Sequence, residues 1–127
     1  MQREIIRPEG TAHNPVLVPA VRFGNLVFTS GMIGRDPATG EMAGRDIRSQ
    51  ARQTMRNLQA ALEAAGTSLD QALKVTAFVA DLDERPAFNE VYREFFQMEP
   101  PARTCIQGGR LGDGVLVEVE VVAGIPE

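Results

Sequence analysis

Residues 115–123 read Val-Leu-Val-Glu-Val-Glu-Val-Val-Ala and alternate between two kinds of side chain. Successive side chains of a β-strand point to opposite faces. One face would therefore carry only valines, namely Val115, Val117, Val119 and Val121. The other face would carry Leu116, Glu118, Glu120 and Val122. Because a uniformly apolar face must be covered, the segment predicts a sheet with helices packed against one side.

Two segments have the apolar spacing that amphipathic helices need to cover such a sheet. The first, residues 46–65, has Asp46 at a suitable N-cap position and Gly66 just beyond its end. Its apolar positions are Ile47, Ala51, Met55, Leu58, Leu62 and Ala65. The second helix is predicted over residues 84–96, with a stripe of Phe88, Val91, Tyr92 and Phe95.

The remaining pattern predicts six strands. A short strand is expected at 2–6, followed by a hairpin of 17–22 and 26–30 around a turn at Phe23–Asn25. Residues 73–80 are apolar on both faces, which is typical of a central strand. Strands 102–107 and 115–123 are predicted to close the chain as a hairpin. The order predicts an α+β fold with one sheet and both helices on a single face.

The face of the sheet opposite the helices would be partly apolar. Leu116 and Val122 of the last strand would lie there beside charged residues. A mixed face of this kind is poorly suited to bulk water, and neighbouring subunits are the simplest cover for it. We therefore expect a homo-oligomer, with ligand clefts between its subunits.

Composition excludes several classes of function. The 127 residues, 43% hydrophobic and 24% charged, suit one domain spanning 1–127. A formal net charge of -4 without a basic cluster argues against nucleic-acid binding. One cysteine and one histidine, His13, exclude an intrachain disulfide and give too few ligands for zinc. No leader-like or membrane-spanning apolar run is found, so we expect a cytoplasmic protein with no membrane contact.

Arg103 is the residue whose surroundings most need an explanation. In the stretch PPARTCIQGG, alternation places Arg103, Cys105 and Gln107 on one face of an apolar strand with no acidic neighbour. A guanidinium keeps its charge and needs an anionic partner. Glu118 or Glu120 could supply it across the predicted final hairpin, which is the commoner, structural use of arginine. Alternatively, Arg103 could bind the carboxylate of a ligand.

Three other side chains are open to two interpretations. Glu118 could hold or deprotonate a water in a partly dry cleft, or could be an exposed charge on an edge strand. Cys105 could be a nucleophile, but a lone cysteine on an apolar strand is more often a small buried hydrophobe. Ser30, in the triplet Thr-Ser-Gly, could face a ligand or belong to a turn.

Taken together, six segments resemble the reactive intermediate deaminase family (RidA, YjgF-type, also called endoribonuclease L-PSP). They are GNLVFTSG, ARQTMRNLQAALEAAG, LKVTAFVADL, FNEVYREFF, PPARTCI and VLVEVEVVA. The resemblance covers about residues 16–124, and Pro-Ala-Arg-x-Cys followed by Val-Glu-Val-Glu is its most specific part. It implies a chorismate-mutase-like (bacillus-type) α+β fold with one mixed six-stranded sheet, assembled as a homotrimer.

The resemblance also implies an activity. Members hydrolyse enamines and imines of the 2-aminoacrylate type to 2-oxo acids and ammonia, with no metal or cofactor. The arginine matching Arg103 binds the substrate carboxylate, the glutamate matching Glu118 is associated with the attacking water, and the cysteine matching Cys105 lines the pocket. Other positions matching the cleft are Ser30, Gly31, Asn89 and Leu17.

The sequence departs from the family pattern at two positions, Leu17 and Met32. Leu17 stands where many members have a tyrosine over the substrate, and Met32 stands where a polar residue is common. Both changes make the expected pocket more apolar. They leave open a deaminase dedicated to one pathway, acting on an aminoacrylate or aminomuconate-type intermediate. A noncatalytic trimer that binds small carboxylates as a regulator is the third alternative.

Overall fold

The computed structural model describes residues 1–96 and 98–127. Within them lie six strands: β1 (Arg3–Ile6), β2 (Ala20–Phe23), β3 (Leu26–Thr29), β4 (Ala72–Val79), β5 (Ala102–Gln107) and β6 (Val117–Gly124). The helices are α1 (Ile47–Ala64) and α2 (Arg85–Glu94), with short 3-10 turns at Leu69–Gln71 and Leu82–Glu84. The predicted α+β class and the order of its elements are confirmed.

The six strands form one mixed sheet in the order β1-β2-β3-β6-β4-β5. β4 pairs with β5 in parallel and with β6 antiparallel, so β5 and β6 lie on opposite sides of it. The predicted closing hairpin is therefore wrong. α2 forms the crossover that parallel β4 and β5 require, and β4, apolar on both faces, takes a neighbour at each edge.

β2 begins later than the sequence predicts, at Ala20 instead of residue 17. Pro19 has no backbone N–H to give to a ladder. The carbonyls of Val18 and Pro19 instead accept hydrogen bonds from Ser30, from Oγ at 2.6 Å and from the backbone N at 2.9 Å. Ser30 thus holds the segment before β2 against the end of β3.

Both helices pack on the valine face of the sheet. One buried cluster contains Met55, Leu58 and Leu62 of α1, Phe88 and Val91 of α2, and Val75, Val79, Val117, Val119 and Val121 of the sheet. Asp46 caps α1 as predicted, since its side chain accepts from the backbone N of Ser49. In the described part of the chain, neither helix has the length and apolar character needed to cross a bilayer.

The opposite face of the sheet, called the open face below, carries no helix. The strand register places on it Ile5, Val21, Phe28, Val122, Thr76, Phe78, Glu118, Glu120, Thr104 and Ile106. Phe28 and Ile106 remain 45% and 46% exposed in the single chain. The predicted mixture of apolar and charged residues on this face is confirmed.

A buried glutamine joins α1 to the segment that leads into β6. Gln50 is fully buried, and its Nε2 donates to the carbonyls of Gly44 at 2.9 Å and Gly114 at 2.8 Å. Its Oε1 accepts from the backbone N of Leu116 at 2.8 Å. Three backbone groups of two separate loops therefore depend on one side chain, which also fixes the approach to Glu118.

Replacing Gln50 with leucine should leave all three backbone groups without their hydrogen-bond partner while keeping a side chain of similar length. A buried polar group without a partner costs about 1–3 kcal/mol, so we expect Gln50→Leu to lower the free energy of unfolding by about 3 kcal/mol. Urea denaturation at a fixed protein concentration measures the change. Gln53→Leu is the matched control, because Gln53 bonds only to Asn57 in the same helix. Equal losses in the two variants would contradict this account.

Candidate functional site

Arg103 lies on β5 beside Val75 of β4 and points to the helix side of the sheet. Its guanidinium faces α2, where Nη1 donates to Asn89 Oδ1 at 2.8 Å. The guanidinium carbon also lies 4.8 Å from the ring centroid of Tyr92 and 5.8 Å from that of Phe88. All three partners on α2 are uncharged, so they orient the cation without neutralising it.

Among the residues that the structure describes, no carboxylate lies within 4.0 Å of Arg103. The ion pairs found there are Arg48–Glu90, Arg52–Glu94 and Arg110–Asp113. The alternative of a structural ion pair with Glu118 or Glu120 is therefore wrong. Its premise was the closing hairpin, and without that hairpin the two glutamates lie on the other face of the sheet.

Glu118 lies on the open face, opposite Phe78 of β4, and is half-buried. Its carboxylate approaches Gly31 so closely that an added Cβ there would lie 3.0 Å from Glu118 Cδ and would overlap Oε2. Any side chain at position 31 would therefore displace the carboxylate. Glu120, opposite Thr76, is exposed, and its carboxylate is not among the nearest atoms that a Cβ added at any described glycine would meet.

The other predicted site residues divide between the two faces. Asn89 and Cys105 lie with Arg103 on the helix side, and Cys105 is half-buried against the core. Gly31 lies with Glu118, and the Ser30 hydroxyl next to it donates to Val18. Leu17 is 51% exposed in the loop before β2. Met32 forms an isolated antiparallel bridge with Val119.

Within one chain, the structure therefore does not bring Arg103 and Glu118 together. They form two clusters, the arginine cluster (Arg103, Asn89, Cys105) and the glutamate cluster (Glu118, Gly31, Ser30), on opposite faces of the sheet. Four surface cavities of 200 to 410 Å³ have linings that include neither Arg103 nor Glu118. A site that uses both charges needs a second copy of the chain.

Tyr92 is a neighbour of Arg103 that sequence reasoning treated only as a core residue. The residue is 5% exposed, and its hydroxyl is buried with no hydrogen-bond partner in the described structure. Burial raises the pKa of Tyr92 to about 12, although the nearby Arg103 guanidinium opposes the shift. The spacing of Asn89 and Tyr92, on one side of α2, was the available signal for a shared contact with Arg103.

The raised pKa of Tyr92 makes stability depend on pH in the alkaline range. The unfolded chain loses the phenol proton near pH 10, whereas the folded chain keeps it to about pH 12. The stabilisation is therefore complete below pH 10 and is lost as pH rises from 10 to 12, by about 3 kcal/mol in total. Urea denaturation at a series of pH values measures this loss, and Tyr92→Phe should lack it.

Tyrosinate absorbance gives an independent check, because Tyr92 is the only tyrosine in the chain. A midpoint close to pH 10 in the folded protein would contradict the burial argument.

Comparison with known proteins agrees with this architecture. The family model for endoribonuclease L-PSP matches residues 11–125. A RutC family protein of Pyrococcus horikoshii is 43% identical over 104 residues, which cover 82% of each chain. A protein of Escherichia coli K12 with the provisional name reactive intermediate deaminase TdcF is 41% identical over 109 residues, 84% of each chain.

Solved structures share the fold over nearly the whole chain. A crystal structure of an endoribonuclease L-PSP homologue from Entamoeba histolytica has a TM-score of 0.92 at 36% identity and covers 98% of this chain and 100% of its own. Crystalline E. coli TdcF with bound serine has a TM-score of 0.88 at 38% identity, covering 97% of this chain and 99% of its own. The chain therefore belongs to the endoribonuclease L-PSP family, the family of RidA and YjgF.

Proposed function

We propose that the protein is a hydrolytic deaminase of enamines and imines of the 2-aminoacrylate type, releasing a 2-oxo acid and ammonia. The observation that carries the proposal is the Arg103 guanidinium, which is oriented by Asn89 and two rings but has no carboxylate partner in the described structure. Serine bound to E. coli TdcF, a relative of the same fold, supports an amino-acid-like ligand. The net charge of -4 favours a small substrate over a nucleic acid.

Arg103 binds the substrate carboxylate in this proposal. Nη1 already donates to Asn89, which leaves the guanidinium edge formed by Nε and Nη2 for two parallel hydrogen bonds. Such a bidentate contact fixes both the position and the rotation of a planar 2-imino acid. Cys105, on the same face of β5, lines the neighbouring wall.

Glu118 activates the attacking water and transfers protons in this proposal. An enamine first takes a proton from a solvent water on carbon, which gives the iminium ion and leaves hydroxide. Glu118 accepts a proton from a second water as the oxygen of that water bonds to the iminium carbon, which gives a neutral carbinolamine. Glu118 returns that proton to nitrogen, the C–N bond breaks to release ammonia, and the hydroxyl proton passes to the hydroxide as the carbonyl forms. Water is the only co-reactant, and Arg103, Glu118 and water supply every step.

The site is completed by a neighbouring subunit of a homotrimer. Arg103 is on the helix side of edge strand β5, whereas Glu118 is on the open face, so one chain cannot supply both to a single ligand. The open face of one chain, with Phe28 and Ile106 exposed, would pack beside the β5 edge of the next. This packing would bury the apolar surface and form the cleft in one step.

One exposed apolar residue favours a narrower variant of the same function. Leu17 is 51% exposed in the loop before β2, whereas Met32 packs against the buried core beside its bridge partner Val119. An apolar side chain at position 17 would favour substrates with a particular side chain, as in a deaminase dedicated to one pathway. Equal rates on imines of alanine, leucine and glutamate would exclude this variant. Binding of 2-oxo acids without turnover would instead indicate a noncatalytic regulator.

Mixing two inactive variants tests the shared site. We expect Arg103→Ala and Glu118→Gln each to lower imine hydrolysis by about 100-fold or more, because each removes a positioned reacting partner. If Arg103 and Glu118 come from different chains, unfolding and refolding an equal mixture restores about one quarter of the sites. The assay measures 2-oxo acid release from imines generated by an amino-acid oxidase.

The matched control mixes Arg103→Ala with the Arg103→Ala/Glu118→Gln double variant, which offers no chain with Arg103 and should recover nothing. Failure of the first mixture to regain activity, with mixed oligomers demonstrated by mass spectrometry, would contradict a site shared between chains. Full activity of Arg103→Ala alone would contradict the proposed function.

A charge on the open face tests the assembly. We expect Phe28→Asp to shift the protein from a trimer to single chains, because the aspartate would have to lose its water inside the interface. Sedimentation equilibrium measures the mass, and deamination should fall with it. Leu82→Asp is the control, since Leu82 is 38% exposed but lies outside the sheet. A trimeric Phe28→Asp variant would show that another surface makes the contact.

A further inference from the structure

We propose that Tyr92 is a positioning residue for Arg103: its ring, together with that of Phe88, sets the plane of the guanidinium that receives the substrate carboxylate. The proposal rests on the proposed function and adds a residue to it. The ring carries the role, and the hydroxyl does not.

α2 and the residues just after it form an aromatic row beside Arg103. Phe88, Tyr92 and Phe96 follow one another at a spacing of one helical turn, with centroids 5.6 Å apart for the first pair and 4.7 Å for the second. The guanidinium carbon of Arg103 lies within cation–π distance of Tyr92, at 4.8 Å, and at the outer limit for Phe88, at 5.8 Å. Tyr92 is therefore the main ring contact of Arg103, and Phe96 packs against Tyr92 with a tilt of 44° between the rings.

Stacking on a ring differs from an ion pair in one respect that matters for binding. A ring contacts the flat face of a guanidinium, whereas hydrogen bonds leave from its edges. Tyr92 can thus restrict how Arg103 tilts while the donors in the guanidinium plane stay available. Asn89 fixes one of these donors at 2.8 Å, so the ring and the amide together define both tilt and rotation. Neither contact neutralises the charge that the substrate must meet.

The Tyr92 hydroxyl takes no part in this arrangement. It is buried beyond the reach of a ligand and donates to no group in the described structure. The contribution of the ring can therefore be tested separately from that of the hydroxyl. Tyr92→Phe keeps the ring and removes the unpartnered hydroxyl, whereas Tyr92→Leu keeps an apolar side chain and removes the ring.

Two measurements on these variants test the proposal. The first is the ¹H–¹⁵N signal of Arg103 Nε, identified by its loss in Arg103→Ala, because protons above an aromatic face move upfield. We expect that upfield shift in the parent protein and in Tyr92→Phe, and its loss in Tyr92→Leu.

The second measurement is the affinity for pyruvate, as a stable 2-oxo acid, determined by calorimetry. Tyr92→Leu should weaken it about ten-fold and Tyr92→Phe should leave it unchanged.

Phe96→Leu is the matched control, since it removes a ring from the same row that does not contact Arg103. If Phe96→Leu weakens pyruvate binding as much as Tyr92→Leu, the role of Tyr92 is only to fill the core and the proposal is wrong. An unshifted Arg103 signal in the parent protein overturns it as well. If the parent protein binds no 2-oxo acid, the proposed function fails, and the Arg103 signal still decides whether Tyr92 positions the guanidinium.

Discussion

A half-buried cation with no carboxylate partner among the described residues is the constraint on which the candidate site depends. A guanidinium cannot give up its charge inside a protein, so its surroundings must either neutralise it or leave it for a ligand. Here α2 presents Arg103 with an amide oxygen and two rings. These groups order the side chain without neutralising its charge. Under the proposed function, most of its attraction therefore stays available for the carboxylate of the substrate.

The sheet then separates this cation from Glu118, the proposed acid-base group. Because side chains alternate along a strand, β5 directs Arg103 toward the helices and β6 directs Glu118 away from them. Proximity within one chain would have let the two charges neutralise each other. Separation on opposite faces prevents that pairing. The proposed assembly brings them together only across a boundary between chains.

Local features of the fold were predictable from the sequence, whereas contacts between distant segments were not. Periodicity located α1, α2 and the valine face of β6, because side-chain spacing within an element is a local property. Strand pairing is not local, and the predicted hairpin of β5 with β6 was wrong. The spacing of Asn89 and Tyr92 shows that they share one side of α2, but their contact with Arg103 also depends on β5 lying beside β4, which spacing does not reveal. The proposed roles of Arg103 and Glu118 came from the resemblance of the chain to the reactive intermediate deaminase family.

Strand β4 borders both β5 and β6, so it determines where each charge stands. Arg103 lies level with Val75, and Glu118 lies level with Phe78, on the two ladders that β4 forms with its neighbours. The loops that carry Leu17 and Met32 contribute neither charge. Mutation can therefore diversify those loops and alter which side chains the proposed cleft admits, while the sheet keeps each charge at the same position within its own chain. A change in substrate preference would then leave the two proposed reacting groups, Arg103 and Glu118, unchanged.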